Sequence, residues 1–178
     1  MTFTDVVPSD YFYEAVRYLY CAGVISGYSD NTFRPYNDTT RGQMTKIVVL
    51  AFAYPIYTPP QPTFSDVPPS HTFYQYIETA AHNEIVSGYS DGTFRPQNNV
   101  TRGQLSKIVV IAAQWPPISP TEPTFSDVPI GSPFYEYVET AYDRGIISGY
   151  ADGTFRPGNN ATRGQISKIV YLALQSPR

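Results

Sequence analysis

The sequence predicts a mainly α protein: three tandem two-helix repeats with short loop or hairpin segments, packed as a pseudo-threefold trimer. The first observation behind this is a period. Phe3-Thr4-Asp5-Val6 returns as Phe64-Ser65-Asp66-Val67 and Phe125-Ser126-Asp127-Val128, and Gly27-Tyr28 returns as Gly88-Tyr89 and Gly149-Tyr150. Every step is 61 residues without insertion, which excludes helical arrays of the roughly 34-residue type. The second is that each copy holds two stretches with the 3.6-residue apolar rhythm of a helix. The third is the pair of proline-rich joints at 55–62 and 116–123, which set the repeats at 1–58, 59–119 and 120–178.

Within a copy the elements follow in order. F-[ST]-D-V-P is a turn, and a first helix follows with Phe73, Ile77 and Ala80-Ala81 on one face. It is expected to stop near Glu84, where the other copies place Gly23 and Gly145, residues suited to a helix end. Ile85–Tyr89 and Thr93–Arg95 then flank Ser90-Asp91-Gly92, a pattern that predicts a tight turn or a minimal hairpin. Leu105, Ile108, Val109 and Ala112 line a second helix, as do Met44, Ile47, Val48 and Ala51. Helices of about three to four turns are marginal alone in water. Burying one Leu or Ile contributes about 1.5–3 kcal/mol, so two helices make a thin core. Packing of the three repeats into one cooperative body is the expected source of stability.

The start of the second helix poses a chemical question. It reads Thr-Arg-Gly-Gln at 40–43, 101–104 and 162–165. Thr and Gln stand at capping-box spacing. An arginine there opposes the helix dipole at about 0.3–1 kcal/mol, and glycine costs about 1 kcal/mol relative to alanine. Two readings fit the spacing. Free helix-end amides, an arginine and a glycine that admits a ligand would make an anion site. Alternatively, Arg102 forms a salt bridge to Asp66 or Asp91, or to their counterparts in a neighbouring repeat.

Composition narrows the function classes. The chain has 178 residues, 42% hydrophobic and 15% charged, enough apolar content for a folded core. A net charge of −3 gives no general attraction to nucleic acid or acidic membranes, and no run approaches the ~18 apolar residues of a membrane span. Nine of the 12 cations sit at triplicated positions: Arg34/95/156, Arg41/102/163 and Lys46/107/168. Lys107 lies on a different helix face from Arg102 and reads as solvated. The single cysteine, Cys21, can form neither an internal disulfide nor a cysteine-based metal site. His71 and His82 have no counterparts in the other copies, and no catalytic constellation recurs, so no enzyme is expected. Residues 30–38 lack the ligand spacing of a calcium loop, and no metal or cofactor is expected. The N-x-T sequons at Asn99 and Asn160 are explained by their capping threonines.

F-S-D-V-P, F-Y-x-Y-[IV]-E-T-A, G-[IV]-[IV]-S-G-Y-x-D-G-T-F-R-P and T-R-G-Q together resemble the S-layer homology domain, in three consecutive units covering essentially the whole chain. The resemblance implies a three-pronged pseudo-trimer, exported to the bacterial cell surface. It also implies non-covalent attachment to cell-wall polysaccharide, often a polymer carrying a pyruvate ketal. In that family the arginine of T-R-A-E contacts the acidic sugar in grooves between units. This role carries over to Arg41, Arg102 and Arg163, beside Gly42, Gly103 and Gly164, with Tyr28, Tyr89, Tyr150, Asp30, Asp91 and Asp152 in the groove walls. T-R-G-Q departs from T-R-A-E: glutamine still caps, while loss of the glutamate frees the arginine and leaves the glycan, pyruvylated or not, open. The other reading is a self-assembling structural subunit of an S-layer or surface filament.

Overall fold

The computed structural model describes residues 1–177; Arg178, the end of the third expected repeat, lies outside the described residues. Six helices follow in order: α1 (Tyr13–Cys21), α2 (Arg41–Ala51), α3 (Tyr74–His82), α4 (Arg102–Ala112), α5 (Tyr135–Asp143) and α6 (Arg163–Gln175). The first helix of each repeat has nine residues, about two and a half turns and shorter than expected. None of these three carries a side-chain N-cap. Each stops where the chain turns left-handed, at Gly23 (φ 72°), Glu84 (φ 58°) and Gly145 (φ 67°). The Ile85 amide then closes back onto the Ala80 carbonyl at 2.8 Å, the six-residue bond of a Schellman end.

The tight turn forms and the hairpin does not. Tyr89 N donates to Thr93 O at 2.7 Å, but among the described residues there is no strand, only isolated bridges. The reason lies in the next two amides. Phe94 N and Arg95 N both donate to the Asp66 carboxylate, each at 2.7 Å, and Asp5 and Asp127 do the same in their repeats. The aspartate of F-[ST]-D-V thus takes the donors that a strand partner would need. It also holds Arg34, Arg95 and Arg156 left-handed, at φ 57–59°.

Helices pair across repeat boundaries. α2 packs on α3, α4 on α5, and α6 returns to α1, while α2, α4 and α6 touch one another around the centre. The apolar faces of all three meet in one core, with Met44, Leu105, Ile166, Val48, Val109 and Val170 essentially inaccessible. A ring of three backbone bonds marks the pseudo-threefold axis: Thr39 N to Ala161 O (3.1 Å), Val100 N to Thr39 O (2.9 Å) and Ala161 N to Val100 O (2.9 Å). Beside it the Asn99 and Asn160 side-chain amides both donate to Asp38 Oδ2, at 3.0 and 2.7 Å.

Candidate functional site

The capping box forms in all three second helices: the threonine hydroxyl accepts from the glutamine amide, and glutamine Oε1 accepts from the threonine amide. The two amides between them are already occupied. Arg102 N donates to Asn159 O at 2.8 Å and Gly103 N to Pro157 O at 2.9 Å. Arg41 and Gly42 reach Asn98 and Pro96, and Arg163 and Gly164 reach Asn37 and Pro35. No free amides remain to hold an anion, so that part of the expectation is corrected. The glycine has a different purpose too. A Cβ on Gly42 would stand 2.5 Å from Phe73, one on Gly103 2.6 Å from Phe134, and one on Gly164 2.8 Å from Phe12. Each glycine admits an aromatic ring of the following repeat at that face of the helix.

The arginine likewise reaches into the following repeat, and not to a carboxylate. Arg102 Nε donates to Phe155 O (2.8 Å) and Nη2 to Ser148 O (3.2 Å). Arg41 meets Phe94 O and Ser87 O, both at 3.0 Å, and Arg163 meets Phe33 O and Ser26 O, at 2.8 and 2.9 Å. Salt bridges among the described residues involve other arginines: Arg17, Arg34, Arg95 and Arg156. Each triplicated guanidinium also lies over a phenylalanine ring, at 4.4 Å for Arg41 and 4.3 Å for Arg102 and Arg163. Burial pushes the three guanidinium pKa values down, yet a guanidinium stays protonated in a protein. Two of its five donors are used on carbonyls, which leaves others for a ligand.

The tyrosine and aspartate of the G-Y-x-D loop separate in role. Arg156 lies 3.9 Å from the Tyr150 ring centre and Arg102 lies 5.2 Å from it; Tyr28 and Tyr89 are flanked the same way. Asp30, Asp91 and Asp152 instead turn into their own loops. Asp91 accepts from Thr93 N and Oγ1 and pairs with Arg95 at 2.8 Å. The threonine hydroxyl and then the arginine draw all three carboxyl pKa values from 3.8 to about 2. These carboxylates fasten the loop that carries the tyrosine and are not among the residues lining the grooves.

Three related grooves result, of about 470, 280 and 200 Å³. The first joins Arg102 to residues 145–150, Gln165 and Lys168 of the third repeat, with Tyr11 of the first. The second joins Arg163 to Tyr28, Gln43 and Lys46, with Phe73; the third joins Arg41 to Tyr89, Gln104 and Lys107, with Phe134. Every groove therefore draws on all three repeats. The lysine was missed in the sequence: it lines the groove that holds the arginine of the preceding repeat, and the Lys46 and Lys107 ammonium groups lie 5.6 and 5.2 Å from the Tyr76 and Tyr137 ring centres. Its triplication was the available signal.

The S-layer homology domain family matches residues 2–45, 63–106 and 124–166. The chain belongs to the S-layer homology domain family. Among its relatives is cell surface glycoprotein 1 of Acetivibrio thermocellus, 31% identical over 85% of this chain and 7% of its own length. An endoglucanase of a Bacillus species is 30% identical over 97% of this chain and 18% of its own length. A cellulosome-anchoring protein of A. thermocellus is 26% identical over 86% and 36%. The chain thus spans well under half of each of these relatives. S-layer homology modules are cell-surface modules, and this chain is placed at the cell envelope with them. No helix among the described residues is long and apolar enough to cross a membrane.

Proposed function

We propose that the module attaches non-covalently to cell-wall polysaccharide, each groove holding one acidic sugar. The observation that carries this reading is the pairing of two cations from different repeats in every groove: Arg102 with Lys168, Arg163 with Lys46 and Arg41 with Lys107. The arginine's spare donors and the lysine ammonium meet the sugar carboxylate, a ketal pyruvate or another acid. Tyr28, Tyr89 and Tyr150 offer rings with an apolar body and a polar tip. Because each glutamine spends Oε1 on its cap, its amide nitrogen is left to donate into the groove; a glutamate there would set a negative oxygen beside the two cations. One charge-assisted bond is worth about 1.5–3 kcal/mol. A single groove is weak, and a polymer spanning several gains through effective concentration.

The test is the triple variant Lys46→Met, Lys107→Met, Lys168→Met, which keeps the aliphatic stems. Binding to purified sacculi should fall about tenfold or more, some 1.4 kcal/mol, with thermal unfolding unchanged. Equal binding by variant and parent overturns the reading. Mild acid treatment of the wall, which removes ketal pyruvate, tells a pyruvylated ligand from other acids.

Self-assembly into a surface lattice has one observation in its favour. Tyr18, Tyr20 and Tyr36 are exposed on the first repeat, Tyr36 at 71%, where the second repeat has Thr79, Ala81 and Gln97. Ordered sheets of the purified chain in electron microscopy would support that reading, and monodisperse monomers would remove it.

A further inference from the structure

We infer that the three grooves are unequal: the groove over Arg102 is the principal acidic-sugar subsite, with Tyr11 as its stacking residue, and Glu84 weakens the groove over Arg41. The inference rests on the glycan reading above and ranks the sites within it.

The repeats differ where it matters. Tyr11 occupies the position held by Thr72 and Pro133 in the other repeats. Its ring is 56% exposed and packs edge-on against Phe12, with centroids 4.8 Å apart. It lines the largest groove together with Arg102, Tyr150 and Lys168, so two tyrosines and two cations share one recess of about 470 Å³. The other two grooves receive only a phenylalanine from the corresponding repeat. Partial burial, and then the neighbouring Tyr36, push the Tyr11 phenol pKa up. Sugar C–H faces stack on such a ring while the carboxylate reaches the cations beside it.

The opposite departure marks the groove over Arg41. Gly145 and Gly23 line the ends of the first two grooves, and the equivalent residue in the second repeat is Glu84. Glu84 keeps the left-handed backbone of those glycines, at φ 58°. It is exposed, and among the described residues no cation pairs with its carboxylate. Glu84 itself is not among the residues lining the smallest groove but is the chain neighbour of Ile85, which is, and a like charge at that edge disfavours an acidic ligand.

The Nε–H protons of Arg41, Arg102 and Arg163 each donate to a carbonyl and report the grooves separately by NMR. The full chain is titrated with a pyruvate-ketal hexosamine monosaccharide and, in parallel, with glucuronic acid. The Arg102 signal is expected to move at concentrations about tenfold below those that move Arg41, the scale of one aromatic or charge contact. Tyr11→Thr should bring the Arg102 groove level with the Arg163 groove, and Glu84→Gly should strengthen the Arg41 groove. Three signals moving together, or an order unaltered by Tyr11→Thr, overturn the ranking and leave glycan binding standing. Signals that stay fixed with both sugars while sacculi still bind the chain overturn the acidic-sugar subsite. Fixed signals with no sacculus binding overturn the glycan reading itself.

Discussion

Replacing Arg102 by alanine tests whether this arginine clamps one repeat to the next. The side chain is nearly buried, and its guanidinium bonds two carbonyls of the third repeat, at 2.8 and 3.2 Å, while covering the Phe155 ring. A hydrogen bond with a charged partner contributes about 1.5–3 kcal/mol, and a cation over an aromatic ring about 0.5–1 kcal/mol when partly exposed. The site opens into a groove, so water re-solvates part of what is lost. A destabilisation of about 2–4 kcal/mol is expected, a large share of the 5–15 kcal/mol of an ordinary domain, roughly. With a urea slope of about 2 kcal/mol/M, the midpoint should fall by about 1–2 M, followed by circular dichroism at pH 7. Arg102→Lys keeps the charge but cannot serve both carbonyls in a planar fork, and should fall in between. A shift equivalent to less than about 0.5 kcal/mol, the range of ordinary surface changes, would refute the clamp. The outcome also bears on binding assays, because an alanine variant that loosens the groove loses ligand whether or not arginine touches it.

Gly103→Ala sets a Cβ 2.6 Å from Phe134 Cδ2, so overpacking of about 1–3 kcal/mol should exceed the roughly 1 kcal/mol gained in helix propensity; a raised melting temperature would contradict it. Acid should loosen the loops. The Asp30, Asp91 and Asp152 pKa values are depressed from 3.8 to about 2, so their contribution is complete above pH 4 and lost as pH falls toward 2. The triple variant Asp30→Asn, Asp91→Asn, Asp152→Asn should flatten the stability profile over that window, and an unchanged slope would tell against the assignment. Unfolding of the whole chain should be a single transition, coincident by circular dichroism and by fluorescence of the one tryptophan, Trp115. A fragment of residues 59–119 should lack stable helix, because α3 packs on α2 and α4 on α5, both outside it.

What could be read in the sequence follows from distance along the chain. Capping by Thr101 and Gln104 is settled within three residues, and the apolar rhythm of each helix within eleven, so both were legible. The turn at Ser90-Asp91-Gly92 was legible for the same reason. The absence of strands among the described residues was not, because the competing acceptor for Phe94 and Arg95 is Asp66, 28 and 29 residues earlier. Arg102 bonds carbonyls 46 and 53 residues ahead, and the glycine beside it is explained by Phe134 of the next repeat. Those partners become visible only once helices pair across the boundaries. Contact of α4 with α6 places Lys168 and Arg102 in one groove, although within one copy the lysine and arginine diverge. Each groove takes its arginine from one repeat, its tyrosine and lysine from the next and an aromatic ring from the third. No single 61-residue copy therefore contains a whole groove. Threefold repetition pointed to three equivalent grooves, and closure of α6 onto α1 decides what lines each, including Tyr11 in the groove of Arg102.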